Sequence, residues 1–343
     1  MSMPATYRED FEGFGEFLGA VARAGDRAGA NCDPRLRYAA ITGLGEVIPS
    51  DGGFAVPSDF ALALLDGVEQ HATMYPATTR QTITKGNKLK CPVWDETSRA
   101  HGSRFGGLSL ARTGEGETIV ATKPRLKSVN VYLDALKGAI YLTSELSEDW
   151  PQATAVLTRT FAMEAATAVD DEIIDGSGTG GEMLGILRSP ALIQVTPESG
   201  QAAQTIRAEN VLKMWCRSWA PGLRRARWYY NQEVGPQIFA LADSGIVTFT
   251  ADGPLMLGQP LIAHESCKTA GSVGDLLLVV PDQFVIGEKP QEVAESIHIK
   301  WLEHEQAFRF IWRVSGHPAW NSPLTPLNGS QTTSPFVALG ERI

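Results

Sequence analysis

From Gln152 to Asp175 no glycine or proline interrupts the chain, and no other stretch constrains the fold as strongly. Ser144 and Asp149 are good N-cap types, and Pro151 suits a first helical turn, where its missing N–H has no intrahelical acceptor to lose. The sequence therefore predicts a helix starting near Trp150. Leu157, Phe161, Ala165, Ala168, Val169 and Ile173 recur three and four apart, one apolar stripe of period 3.6. About 25 helical residues span roughly 37 Å, enough to form the spine of a flat domain. The run Gly176-Ser177-Gly178-Thr179-Gly180-Gly181 then ends it, and Gly176, Gly178 and Gly181 spell G-x-G-x-x-G. A dinucleotide fingerprint needs a strand before it and a helix after it. Here the helix comes first, so Gly176 reads as a left-handed C′ cap, with Gly178 and Gly181 in the loop behind it.

At 343 residues the chain suggests about two domains. A net charge of −9 argues against a dedicated nucleic-acid binder, although not against a container whose wall must not adhere to DNA. Cys32, Cys91, Cys216 and Cys267 lie far apart with no C-x-x-C spacing, so they read as reduced thiols of a cytoplasmic protein rather than zinc ligands or a disulfide framework. No signal-peptide core and no apolar run of about 18 residues occurs. Phe11, Phe14, Phe17, Leu18 and Val21 fall at helical spacing, followed by a Gly/Ala-rich stretch through Gly29: a short amphipathic segment on a mobile or partner-docked extension.

Further along, Ser58 caps a short helix through Phe60, Leu64, Leu65 and Val68, and Thr78 to Val93 alternates as strand. Trp94 to Arg125 then turns glycine-rich and poor in large apolar residues. Flanked by strands Lys88–Val93 and Thr118–Leu133, it reads as a long two-stranded projection. An isolated hairpin is marginal in water, so it should rest on something, most simply a neighbouring subunit. Ala208–Trp219 and Gln232–Ala242 read as helices and Arg227–Asn231 as a strand. Leu276–Val280 is a strand buried on both faces, and Ile297–Val314 is strand-like and aromatic.

Catalytic signatures are missing: no G-x-S-x-G, no Walker loop, no H-E-x-x-H. Asp170, Asp171, Glu172 and Asp175 could be imagined around Mg²⁺, but the helix turns 170 and 172 away from the face of 171 and 175. They read as solvated or arginine-paired carboxylates. His298 and His304 lack a third ligand. Arg224, Arg225 and Arg227 with Trp228, Tyr229 and Tyr230 read as a buried aromatic strand or as ion pairs between subunits, in preference to a nucleic-acid platform.

The long helix followed by D-G-S-G-T-G-G-E-M-L-G-I-L resembles the spine helix and loop of tailed-phage major capsid proteins of the Hong Kong 97-type fold. Gly52-Gly53-Phe54-Ala55-Val56-Pro57 resembles the G-G-[FY]-x-V-P start of their folded core. Leu257-Gly258-Gln259-Pro260-Leu261, with Gly274-Asp275, resembles segments of their axial domain. The resemblance implies an α+β fold in these parts: an N-terminal arm over 1–50, a peripheral domain from 51–93 and 126–182 that holds the spine helix, and an extended β-hairpin loop over 94–125. An axial domain follows over 183–314, and 315–343 returns to the peripheral domain.

The implied function is a major capsid protein, its copies joining as pentamers and hexamers of an icosahedral shell around double-stranded DNA that is enclosed without sequence-specific binding. Arg99, Arg104, Phe105 and Arg112 would be loop residues contacting a neighbouring subunit. No cofactor, metal or catalytic residue is implied. Partners would be further copies, portal and decoration proteins, and scaffolding that is either a separate protein or dispensed with, with assembly in the host cytoplasm and residence in the virion. Some members join a loop lysine to a neighbour's asparagine. Between Trp94 and Thr122 this chain has no lysine, Lys123 lies at the loop's base, and arginine is not nucleophilic, so that cross-link is not expected. The alternatives are a bacterial nanocompartment shell of the same fold and an α+β enzyme using the acidic cluster.

Overall fold

The computed structural model describes residues 53–55, 58–94, 96–100, 104–108, 110, 112, 114, 118, 121–143, 151–251, 253–300 and 305–342. The expected N-terminal arm, the cap residues Ser144 and Asp149, and His304 lie outside them.

In chain order the elements are β1 (Gly53–Ala55), α1 (Ser58–His71), β2 (Thr79–Thr82), β3 (Lys88–Trp94), β4 (Leu126–Tyr132), β5 (Ala135–Thr143) and α2 (Pro151–Asp175). There follow β6 (Ile193–Val195), α3 (Ala208–Arg217), β7 (Arg227–Tyr230), α4 (Gly235–Ala240), β8 (Val247–Thr250), β9 (Gly253–Met256) and β10 (Gln259–Ala263). The chain closes with β11 (Leu276–Val279), β12 (Phe284–Glu288), β13 (Glu292–Lys300), β14 (Glu305–Pro318) and β15 (Phe336–Leu339). The long helix has the extent that the uninterrupted stretch predicts. Thr78 to Val93 resolves into two strands, because Ile83–Asn87 turns the chain between them, with Gly86 at φ +77°.

The chain divides into two compact units, one taking residues up to Ala72, Ala135–Ala168 and Lys289–Val314, the other Thr73–Asp134, Val169–Glu288 and Ser315–Ile343. In the first, β14 pairs antiparallel with β5 and β13, and β13 with β1, giving the order β1-β13-β14-β5. Phe161 of α2 lies 6.3 Å from Phe310 of β14, and a Cβ at Gly138 would stand 2.8 Å from the Phe161 ring, so a glycine lets helix and sheet approach. Gly67 makes the same allowance for Ala162.

The second unit holds a seven-stranded mixed sheet in the order β6-β15-β11-β7-β10-β9-β8. Its interior strand β11 is buried at every residue, as the apolar run predicts, between β15 and β7. Trp228, Tyr229 and Tyr230 of β7 are buried, and the Trp228 indole N–H donates to the Met256 carbonyl at 3.0 Å. The aromatic strand is therefore core. Beside it, Arg225 pairs with Asp282 at 2.8 Å within the chain. Leu257 and Gly258, at φ +50° and +76°, make the two-residue turn between β9 and β10, the left-handed pair that a type I′ hairpin requires.

Two expected boundaries do not match the strand pairing. Residues 289–314, expected with the axial segment 183–314, pair through β13 and β14 with β1 and β5. The tail, expected to return to the peripheral domain, instead places β15 beside β11 and β6. Hydrogen bonds between strands far apart in sequence decide both, and short-range patterns carry no record of them.

Candidate functional site

Three features of the second unit carry unusual chemistry or exposure: the exit of α2, the β3–β4 ribbon, and the loop between its strands. The helix exit comes first because it holds the acidic cluster. Asp170 is buried at 2 % exposure and accepts the backbone N–H groups of Thr73 (2.6 Å), Met74 (3.1 Å) and Tyr75 (2.9 Å). The Thr73 hydroxyl adds a fourth donor, and His264 Nε2 stands at 3.3 Å. His264 Nδ1 accepts the Ser266 N–H at 3.2 Å, so the ring proton lies on Nε2 and points at Asp170. Burial would raise the Asp170 pKa, but the hydrogen bonds from His264 and the three amides outweigh it and hold the carboxyl below the ordinary range.

Its neighbours are committed as well. Asp171 accepts from the Ser266 hydroxyl, Glu172 from the Met183 N–H, and Asp175 pairs with Lys268 at 2.5 Å and Arg188 at 3.2 Å. The expectation of solvated or arginine-paired carboxylates thus fits Asp175 and fails at Asp170. Among the described residues no group of three or more His, Cys, Asp or Glu is placed to hold a metal ion.

Behind the helix, the glycine loop folds back on itself. Gly185 N–H donates to Gly176 C=O and Gly178 N–H to Met183 C=O, each at 2.9 Å. Gly178, Gly180 and Gly181 have positive φ, whereas Gly176 does not, which corrects the left-handed reading of Gly176. Its glycine is needed for space: a Cβ there would meet Met183 O at 2.3 Å and Glu172 O at 2.5 Å. Much of the loop's N–H array is engaged internally: Gly176 donates to Glu172 O, Ser177 to the Glu182 carboxylate, Gly178 to Met183 O and Thr179 to the Ser177 hydroxyl, unlike the open amides of a dinucleotide fingerprint.

The β3–β4 ribbon runs in register from Lys88↔Tyr132 to Trp94↔Leu126. Its inner face, Leu89, Cys91, Val93, Val129 and Val131, packs with Val285 of β12 and with Ala319. The ribbon therefore rests on its own chain, a support the sequence left to a neighbour, because the partner strand lies some 150 positions downstream of it. The outer face stays open, with Trp94 49 %, Leu126 59 % and Tyr132 62 % exposed.

Beyond the ribbon, Arg99 grips Glu96 through two hydrogen bonds of 2.6 and 3.0 Å and lies 5.7 Å from the Phe105 ring. Phe105 meets Trp94 edge-on at 6.2 Å. Gly106, at φ +70°, lets Arg125 N–H reach its carbonyl at 2.8 Å. The four loop residues singled out in the sequence divide accordingly. Arg99 is spent within the chain and Phe105 half so, while Arg104 and Arg112 point to solvent. Leu110 is 95 % exposed and Leu108, two residues before it, 41 %, a pair of apolar residues in an otherwise polar loop. A groove of about 460 Å³ opens beside the loop, walled by Trp94, Phe105, Trp219 and Trp320. Trp219 and Trp320 came from distant segments and carried no shared signal.

Residues 52–329 match the model of the phage capsid family. No curated protein matches. Among solved structures, the "Capsid of empty GTA particle computed with C5 symmetry" aligns with a TM-score of 0.56 at 13 % identity, covering 89 % of this chain and 96 % of that one. The "Capsid of native GTA particle computed with C5 symmetry" aligns at 0.53 and 14 %, covering 92 % and 98 %. A structure from Microbacterium phage Oxtober96 aligns at 0.50 and 11 %, covering 89 % and 97 %. At these identities the likeness is one of fold.

Proposed function

The chain belongs to the phage capsid family, and on that premise we propose that it is a major capsid subunit whose copies form pentamers and hexamers of an icosahedral shell around double-stranded DNA. The family and the fold point to a structural protein whose work is done by contacts between copies. The observation that carries the finer reading is the open face of the β3–β4 ribbon. Trp94 and Leu126, directly opposite each other at the loop end of the ribbon, with Leu110 on the loop beyond, leave apolar surface that the described residues do not cover. A subunit that reaches over its neighbour covers such a face without needing a symmetric partner patch, and contacts of this head-to-tail kind close into rings.

The rest of the reading follows from charge. A wall of net charge −9 repels packaged DNA, so the duplex is enclosed and not gripped. Separate scaffolding, portal and decoration proteins would complete the particle, assembled in the host cytoplasm and carried in the virion. No helix among the described residues is long and apolar enough to cross a membrane.

Sedimentation and negative-stain microscopy of the chain expressed alone test the reading. Closed shells, or rings of five and six, are the expected outcome, with DNA inside particles taken from lysed cells. A stable monomer or small oligomer at every concentration and salt would overturn it. Subunits should run intact on a denaturing gel after maturation, because the loop lacks a lysine; a ladder of linked chains would contradict that.

A further inference from the structure

We propose that the aromatic groove beside the extended loop is the receptor for the segment Phe11–Val21 of a second copy of this chain. The proposal rests on the shell reading above and names where one subunit holds the next. Two edge-on aromatic pairs form the walls, Trp219 with Trp320 at 5.4 Å and Trp94 with Phe105 at 6.2 Å. A volume of about 460 Å³ lies between them. That is the size and chemistry of a site for large apolar side chains. The Trp219 indole N–H is buried and has no acceptor among the described residues. A buried donor without a partner is uncommon, and the carbonyl of an entering main chain would satisfy it.

The segment Phe11–Val21 has the matching chemistry. Phe11, Phe14, Phe17, Leu18 and Val21 make one apolar stripe at helical spacing, three of the five aromatic. Over Arg8–Val21, Glu9, Asp10, Glu12 and Glu16 stand against Arg8 for a net charge of −3, with Arg23 two residues beyond. The receptor side has a small positive excess. Arg99, paired with Glu96, and Lys127 line the groove, and Lys123 and Arg125 are exposed on the strand of loop leading into it. Opposite charge around a shared apolar contact orients the two pieces and speeds their encounter.

Reach is not limiting. The described chain begins at Gly53, and the residues between Val21 and that point span up to about 100 Å when extended. A tether of that length delivers the segment to an adjacent subunit at high effective concentration. Occupation in this way makes the contact heterologous, each copy giving a segment and offering a groove, as ring closure requires.

The test uses full-length chains in a Cys32→Ser, Cys216→Ser background, leaving the buried Cys91 and Cys267. One chain carries Phe14→Cys and the other Ser322→Cys, on the groove rim. Co-assembled and mildly oxidised, the pair should give at least tenfold more disulfide-linked dimer than either chain alone. Lys127→Glu in the second chain should cut that yield about tenfold, and Glu12→Lys with Glu16→Lys in the first should restore it, which a merely structural role for Lys127 would not produce.

Shells that form without excess dimer would overturn the proposal and leave the capsid reading standing. So would a Phe14→Cys, Ser322→Cys double variant that closes within one chain, migrating as a monomer with both thiols silent to labelling. If the unmodified chain gives no rings or shells, the capsid reading fails by itself, and the linked-dimer yield still decides whether the segment enters the groove.

Discussion

The seven-stranded sheet and the β3–β4 ribbon belong to the same unit, yet they satisfy their side chains in opposite ways. In the sheet, β11 and β15 are buried at every residue, and β7 seats Trp228 and Tyr229 out of solvent altogether. In the ribbon, one face packs on Val285 while the other holds Trp94, Leu126 and Tyr132 half or more in solvent. The sheet spends its apolar side chains within the subunit. The ribbon leaves Trp94 and Leu126 about half exposed at its loop end, the surface that the proposed contact between copies would cover. Substitutions in the first region should therefore act on folding, and substitutions in the second on assembly.

The largest folding effect should come from Asp170, which joins the sheet unit's helix exit to Thr73–Tyr75. Asp170→Ala leaves three backbone N–H groups and a histidine without their acceptor. Removing one side of such a buried charged network costs about 3–5 kcal/mol. Chemical denaturation of the unassembled subunit should show that loss with an unchanged slope. A change below about 1 kcal/mol would mean that the carboxylate is dispensable and that the contrast between the two regions is overstated.

Gly176 comes next. Its Cβ would strike two carbonyl oxygens at 2.3 and 2.5 Å, and neither belongs to a flexible side-chain end. Gly176→Ala should cost roughly 1–3 kcal/mol, the ordinary range for forced overpacking. Gly180→Ala provides the comparison: nothing lies within 4 Å of its Cβ, so only the strain of φ +67° is felt. A reversed order in thermal unfolding would show that conformation, not crowding, selects glycine at the helix exit.

How much of this was legible in the sequence depended on distance along the chain. The uninterrupted run to Asp175 and the apolar run at Leu276 are local patterns, and both elements appear as read. The ribbon's strands were local too, although the second begins at Leu126 and not near Thr118. The burial of Asp170 had a readable signal that went unused: it stands four residues after Ala166 and three before Ile173, on the stripe that is buried. The pairing of β14 with β5, the insertion of β15 beside β11, and the meeting of Trp219 with Trp320 left no such trace. Each joins segments separated by several intervening elements, and neither spacing nor composition records such a meeting.

Acid should separate the groups of the helix exit by sign. The folded-state pKa of Asp170 is depressed, so its stabilising contribution is complete above the unfolded value of about 3.9 and disappears as pH falls through the folded value. Burial raises Glu172 and Asp275, so protonation relieves a cost in the folded state, and their contribution moves the other way as pH falls. The unassembled subunit should lose stability below about pH 4, and Asp170→Asn should flatten that limb without altering the plateau slope near neutrality. An acid limb that persists in Asp170→Asn would assign the loss to other carboxylates.

The smallest folding effect should belong to the ribbon's outer face, and for that reason it tests the comparison most sharply. Trp94→Ser with Leu126→Ser removes two side chains that are directly opposite each other and about half exposed. Each gives up a cross-strand partner worth a few tenths of a kcal/mol, and Trp94 also gives up its edge-on contact with Phe105, worth about 0.5–1.5 kcal/mol. Since neither contributes to the packed inner face, the unassembled subunit should unfold within about 2 kcal/mol of the unmodified chain. In sedimentation the same variant should fail to form rings or shells at concentrations where the unmodified chain assembles, because the loss recurs at every interface of a closed ring. If the variant assembles normally, the exposed face is only a tolerated surface. If it unfolds instead, the ribbon is as much a part of the subunit's own core as β11, and the division of labour between the two regions disappears.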